Sequence, residues 1–121
     1  METLTAIARR TSVREFSKQP ISKEKIEAII DAGRRAPTAR GIEPWEFVAV
    51  QDKERLTQIA DLCANARFIK EASCCLVVFC KDTKYYLEDG CAATENMLLA
   101  ATDLGIASCW VAGDKKPYCE I

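Results

Sequence analysis

Histidine is absent from this sequence of 121 residues. Without an imidazole there can be no Ser-His-Asp or Cys-His nucleophile system, no His-ligated metal site and no histidine pH switch. No apolar stretch reaches the roughly 20 residues that cross a bilayer, so we expect no membrane partner. Seventeen Lys and Arg against 18 Asp and Glu give a net charge of −1, which argues against a nucleic-acid-binding protein. A bound cofactor is therefore the first candidate for any chemistry.

A recognisable cysteine framework is also missing, although seven cysteines are present. Their number is odd and no C-x-x-C motif occurs. The segment 1–10 is short, polar and basic, unlike an export signal. This favours a reducing, cytoplasmic compartment in which the thiols pack as small hydrophobic groups. A metal site assembled from scattered elements and a redox-active thiol pair are the alternatives.

The length and the 49% hydrophobic content suit a single domain over residues 1–121. Hydrophobic periodicity and capping residues predict short elements in the order α-α-β-α-β-α-β-α, which is a sheet layered with helices. The predicted helices end near residue 10, run between 22 and 37, span 53–62 and 89–104, and begin again at 115; the predicted strands are 46–50, 74–80 and 107–111. The continuous apolar run at 74–80 predicts a central strand covered on both faces. Because the last helix only begins before Ile121, we expect the sequence to be a truncated form of a longer protein.

The first third of the chain carries the positive charge. Residues 1–40 contain nine Lys and Arg but five Asp and Glu, a surplus of four. Within this region Arg10, Ser12 and Arg14 occupy alternate positions, and in an extended backbone side chains two apart point the same way. Two guanidinium groups and a hydroxyl could therefore converge on one anion, and phosphate suits arginine well. A solvated basic turn is the alternative interpretation.

Three further segments follow this motif in a characteristic order. The complete set is Arg10-x-Ser12-x-Arg14-x-Phe16, Arg35-Ala36-Pro37-Thr38, Glu43-Pro44-Trp45-Glu46-Phe47, and residues 96–101 leading to 105–110. Together they resemble the nitroreductase family of flavin-dependent oxidoreductases, and the resemblance extends from residue 7 to about residue 120. It implies an α+β fold with a three-layer arrangement, a central mixed sheet flanked by helices, in an intertwined homodimer with one FMN at each of two interface sites.

The resemblance also implies roles for individual residues. Those matching Arg10 and Ser12 would hold the FMN phosphate, and Thr11 between them is a further cofactor-binding candidate. Arg14 would lie beside the pyrimidine edge of the flavin, where a fixed cation stabilises the negative charge that reduction creates near N1 and O2. The remaining candidates are Pro37, Thr38 and Ala39, which would line the flavin from the partner subunit, Asn65, which would bond the pyrimidine edge, and Ser108, which would lie near the site.

Several of these residues have simpler interpretations. Pro37 and Asn65 could each only end a helix. Trp45 and Trp110 are expected to pack in the core rather than stack on a ring. Asn96 lies within an apolar helix, so its amide needs a partner, and we expect a backbone carbonyl or the dimer mate.

The implied reaction is ping-pong, with NADH or NADPH as electron donor and a nitroaromatic, quinone or similar small molecule as acceptor. It needs no catalytic side chain, in keeping with the absence of histidine. A flavin-binding protein of the same fold without turnover and a thiol-rich redox or metal module are the alternatives. Many family members carry Asn and Gln where this chain has Gly41 and Glu43, so the preferred acceptor does not follow from the resemblance.

Overall fold

The computed structural model describes residues 1–114 and 116, which form four α-helices and two β-strands. The helices are α1 (Thr3–Arg9), α2 (Lys23–Arg34), α3 (Lys53–Leu62) and α4 (Tyr86–Asp103), the strands are β1 (Trp45–Val50) and β2 (Cys75–Cys80), and short 3₁₀ helices lie at Ala39–Gly41 and Arg67–Glu71. The helix predicted from residue 115 lies outside the described residues. No helix in the described part of the chain is long and apolar enough to cross a membrane.

Local signals determine where the helices begin and end. The Ser22 side chain accepts a hydrogen bond from the Lys25 backbone N–H at 3.3 Å and so caps α2. At the end of α4, Gly105 adopts a φ of 74°, and the next residue, Ile106, donates its N–H to the Ala101 carbonyl at 2.8 Å. This is a Schellman ending, which requires the left-handed conformation that glycine adopts without strain.

The two strands pair antiparallel, with Phe47 opposite Val78, and helices pack against both faces of the sheet, one of them only in part. On one face, Phe47 and Val78 pack with Met97 of α4 and Ile29 of α2. On the other, Val50 and Cys75 pack against α3 and the 67–71 3₁₀ helix through the cluster Leu56, Ala60, Cys63, Ala66 and Ile69. The predicted layered α+β arrangement is therefore present.

Two details of the predicted sheet are wrong. The described residues form a two-stranded sheet, so β2 is not central, and its Phe79 is 51% exposed. The third strand predicted at 107–111 is reduced to a single parallel bridge between Ser108 and Ser12. An apolar run indicates which residues prefer burial. Whether other elements cover both faces of the strand depends on residues elsewhere in the sequence.

Helices α2 and α4 approach closely at Gly33. A Cβ at this position would lie 2.7 Å from Met97 Sδ and 3.2 Å from a ring carbon of Phe47. We expect Gly33→Ala to lower the free energy of unfolding by about 1–2 kcal/mol, because overpacking outweighs the gain in helix propensity. Urea denaturation measures this, with Ala28→Gly on the exposed side of α2 as the control for propensity alone. A Gly33→Ala variant more stable than the wild type would contradict the packing argument.

Candidate functional site

An open cleft of about 630 Å³ lies where three distant segments meet. Its walls come from the end of α3 and the following turn, from residues 109–112 beyond α4, and from Arg14. The lining residues, apart from Arg14, are Asp61, Leu62, Cys63, Ala64, Asn65, Ala66, Phe68, Cys109, Trp110, Val111, Ala112 and Lys116. The volume lies within the range of ordinary small-molecule sites, and such sites combine apolar walls with a few polar groups as this one does.

Arg14 reaches the cleft because its segment is fastened to the chain that follows α4. Ser12 and Ser108 form a parallel bridge, and the Val13 N–H donates to the Ser108 carbonyl at 2.9 Å. This contact sets the basic segment beside residues 109–111 of the cleft wall. Ser108 is thus a backbone anchor for the site, and its own side chain does not line the cleft.

The rest of the basic motif leads away from the cleft toward α1. Arg10 is half-buried directly after α1, whereas Thr11, Ser12 and Arg14 are exposed. Within residues 1–114 and 116, neither Arg10 nor Arg14 forms an ion pair. The guanidinium groups are therefore available to an anionic ligand.

The second predicted cluster lies elsewhere in the chain. Pro37, Thr38 and Ala39 do not line the cleft. They follow α2, and Thr38 and Ala39 donate hydrogen bonds to the buried Asp89 in the first turn of α4. The described chain brings Arg14 and Asn65 to one cleft but leaves residues 37–39 apart from it.

The expectations for the polar and aromatic residues have mixed outcomes. Asn96 donates from Nδ2 to the Ala32 carbonyl at 3.0 Å, which confirms the predicted backbone partner. Trp45 is buried as predicted, but the same prediction is wrong for Trp110, which is 43% exposed and lines the cleft. The residues next to each tryptophan do not predict this difference, because the burial of a ring depends on which distant segments cover it.

Phe68 also lines the cleft, although the sequence analysis did not single it out. Its ring lies 6.1 Å from that of Phe16, at an interplanar angle of 46°. Phe16 follows the basic motif, so this contact fastens the motif to the turn after α3. Aromatic pairs of this spacing add to the stability of such a junction.

The six described cysteines are free thiols; Cys119 lies outside the described residues. Burial raises the pKa of the Cys75 and Cys80 thiols, with smaller contributions from neighbouring thiols and, for Cys80, from Asp89. Within residues 1–114 and 116 no group of three or more Cys, Asp or Glu could hold a metal ion. Thiols held protonated are poor nucleophiles and metal ligands, so Cys75 and Cys80 are poorly suited to either role.

Cys74 gives a direct test of this environment. Burial, and secondarily the neighbouring Cys75, raises the pKa of Cys74 from 9.0 to about 11. Because only the thiolate reacts, we expect alkylation by iodoacetamide at pH 8 to be roughly 100-fold slower in the folded chain than in urea. Peptide mass spectrometry after timed quenching measures the rate at Cys74, and equal rates in the two states would contradict the predicted shift.

The sequence is similar to known proteins over most of its length. The model of the Nitroreductase family matches residues 7–87. A curated relative from Archaeoglobus fulgidus, provisionally named NADH dehydrogenase/NAD(P)H nitroreductase, is 39% identical over 117 residues, covering 91% of this chain and 67% of its own. The chain spans about two thirds or less of the length of the curated relatives it matches.

Solved structures give the same picture. An FMN-dependent nitroreductase from Clostridium difficile R20291 has a TM-score of 0.90 at 28% identity, over 95% of this chain and 69% of that one. A nitroreductase with bound FMN from Bacteroides fragilis NCTC 9343 has a TM-score of 0.83 at 29% identity, over 99% of this chain and 75% of that one.

Proposed function

Because the chain belongs to the nitroreductase family, we propose that it is an FMN-dependent oxidoreductase with NADH or NADPH as electron donor. In this proposal it uses FMN as a hydride carrier, reducing a nitroaromatic, quinone or similar acceptor in a ping-pong cycle with one substrate bound at a time. The observation that carries the proposal is a cleft in which the Arg14 guanidinium, which has no ion pair among residues 1–114 and 116, meets the Asn65 amide and aromatic side chains.

The residues of the cleft suit an isoalloxazine ring. Trp110, Phe68 and Val111 offer apolar surface for a flat aromatic group, and Asn65 offers both a donor and an acceptor for a pyrimidine edge. Arg14 adds a fixed positive charge at the same cleft. The donor set and the size of the cleft therefore fit a flavin, and the hydroxyl of Ser12 and the guanidinium of Arg10, which precede Arg14 in the chain, suit a phosphate.

In this reaction the side chains of the protein would bind and orient the cofactor and stabilise its negative charge. Arg10 and Ser12 would fix one end of the cofactor, while Arg14 and Asn65 would orient the ring and favour its acceptance of electrons. No proton has to be moved by an imidazole, and the sequence has none. The open cleft leaves room for a nicotinamide and an acceptor to occupy the same place in turn.

We further propose that the chain acts as an intertwined homodimer, with residues 1–121 forming one FMN-binding domain of each subunit. Two observations support this. Residues 37–39 do not line the cleft of their own chain, and Leu4 and Ile7 of α1 are 80% and 51% exposed, although large apolar side chains favour burial. The free thiols support a reducing, cytoplasmic location.

Anaerobic reduction tests the proposed activity. The purified chain is mixed with FMN, and NADH or NADPH is added while the flavin absorption band is followed. The proposal predicts bleaching of the bound flavin, followed by recovery when a nitroaromatic or quinone is added. Binding of FMN without bleaching by either nucleotide would instead indicate a flavin-binding protein without turnover.

A further inference from the structure

The loop formed by residues 38–43 has an unfavourable backbone. Arg40 and Glu43 have φ values of 58° and 51°, and Gly41 between them has a φ of 65°. Glycine adopts such values without strain, but side chains such as those of Arg and Glu disfavour them. Non-glycine residues in this region persist only where surrounding contacts determine the backbone, and they concentrate at functional sites.

A set of three hydrogen bonds, which we call the Asp89 clasp, determines the shape of this loop. Thr38 Oγ1 donates to Asp89 Oδ2 at 2.7 Å, and the Ala39 N–H donates to Asp89 Oδ1 at 3.1 Å. The Glu43 N–H donates to Thr38 Oγ1 at 3.0 Å. One threonine hydroxyl therefore joins the far end of the loop to the helix, and both oxygens of the carboxylate are used.

Asp89 has the burial of a core residue. It is 4% exposed, and within residues 1–114 and 116 no cation pairs with it. Its position in the first turn of α4, where the helix dipole favours negative charge, and its two bonds from the loop replace a counter-ion. Burying a carboxylate without a cation lowers the stability of the fold. The bonds from the loop offset part of this loss, so the carboxylate and the loop depend on each other.

We propose that Asp89 is a positioning residue of the cofactor site, whose carboxylate holds the 38–43 loop in its strained shape and so fixes residues 37–39. The connection to the cofactor rests on the proposed function, because these are the residues predicted to line the flavin of the partner subunit. The clasp connects residues 37–39 to α4, a helix of 18 residues that crosses the core. A loop fixed in this way is organised before the cofactor binds, which lowers the entropy cost of binding.

Limited proteolysis tests the clasp without any cofactor. Arg40 is exposed within the loop, so trypsin cleavage after it reports opening of the loop, while cleavage after the exposed Lys18 serves as internal reference. We expect Asp89→Asn and Thr38→Val to raise the Arg40 rate relative to Lys18 by roughly tenfold, the equivalent of one hydrogen bond to a charged group. Thr38→Ser keeps the hydroxyl and should restore the wild-type rate.

Thr94→Val provides the matched control. Thr94 is a partly buried threonine of α4, the helix that contains Asp89, and its hydroxyl donates to the Gly90 carbonyl at 2.8 Å rather than to the loop. This variant should leave the ratio of Arg40 to Lys18 cleavage unchanged. A rise as large as that of Thr38→Val, or no rise in Asp89→Asn and Thr38→Val, would overturn the clasp.

FMN titration tests the link to the cofactor. In clasp variants that remain folded, we expect the FMN dissociation constant to rise roughly tenfold, and Thr38→Ser and Thr94→Val to keep the wild-type value. If the loop opens in Asp89→Asn while FMN affinity and the flavin spectrum stay unchanged, the positioning role is wrong. If the wild-type chain itself binds no FMN, the proposed function and the cofactor role fail together, whereas the proteolysis result still decides whether the clasp exists.

Discussion

Replacing Arg10 with alanine is expected to raise the FMN dissociation constant roughly 100-fold, the upper end for loss of a hydrogen bond between charged groups. Adding Ser12→Ala should raise it by roughly a further tenfold. The physical reason is that both side chains follow α1 on a segment fastened beside the cleft, and that Arg10 pairs with no acidic group among residues 1–114 and 116. Quenching of flavin fluorescence on titration measures the affinities.

Two controls separate a phosphate contact from general loss of positive charge. Riboflavin lacks the phosphate, so its affinity should change little in Arg10→Ala. Arg9 is exposed in the last turn of α1, and Arg9→Ala should leave FMN binding near the wild-type value. Equal FMN affinity in wild type, Arg10→Ala and the double variant would contradict the assigned role.

The second large effect concerns the reduction potential. Arg14 places a positive charge at the cleft, and a cation beside the pyrimidine edge favours the added electrons. We expect Arg14→Ala to lower the two-electron potential of bound FMN by roughly 30–60 mV, with a smaller change in affinity for oxidised FMN. Equilibration with a reference dye during anaerobic reduction measures this shift.

The cleft offers a matched control, because Lys116 also lines it. Removing that charge in Lys116→Ala should lower the potential less, and Arg14→Lys, which keeps the charge, should recover part of the loss. An unchanged potential in Arg14→Ala, or an equal fall in Lys116→Ala, would show that Arg14 does not have the tuning role.

Much of the fold could be predicted because its signals are local. Ser22 caps α2 and Gly105 ends α4 through interactions within a few residues of each helix end, so the sequence reveals them directly. The surroundings of β2 could not be predicted in the same way. Its apolar run predicts only that these residues prefer burial. How far each face is covered depends on the packing of α2, α3 and α4 and on the number of paired strands, which is two among the described residues.

The candidate site likewise contains residues that a local sequence signal predicts and residues that only the folded structure reveals. Arg14 could be named from its motif and Asn65 from the family resemblance, and both line the cleft. Trp110 and Asp89 could not be assigned their surroundings, because these depend on contacts between distant segments. Asp89 lies 51 positions from Thr38, and nothing in its immediate neighbours distinguishes a buried carboxylate from a solvated residue in the first turn of a helix. Burial and hydrogen-bond partners are properties of the folded chain.

We propose above all that this chain binds FMN through its phosphate, with the flavin ring in the cleft beside Arg14. Calorimetric titration of the purified chain with FMN, and separately with riboflavin, tests it most directly. The account predicts one FMN bound per chain with an affinity well above that for riboflavin. Absence of binding heat with FMN, or equal affinities for the two flavins, would contradict it.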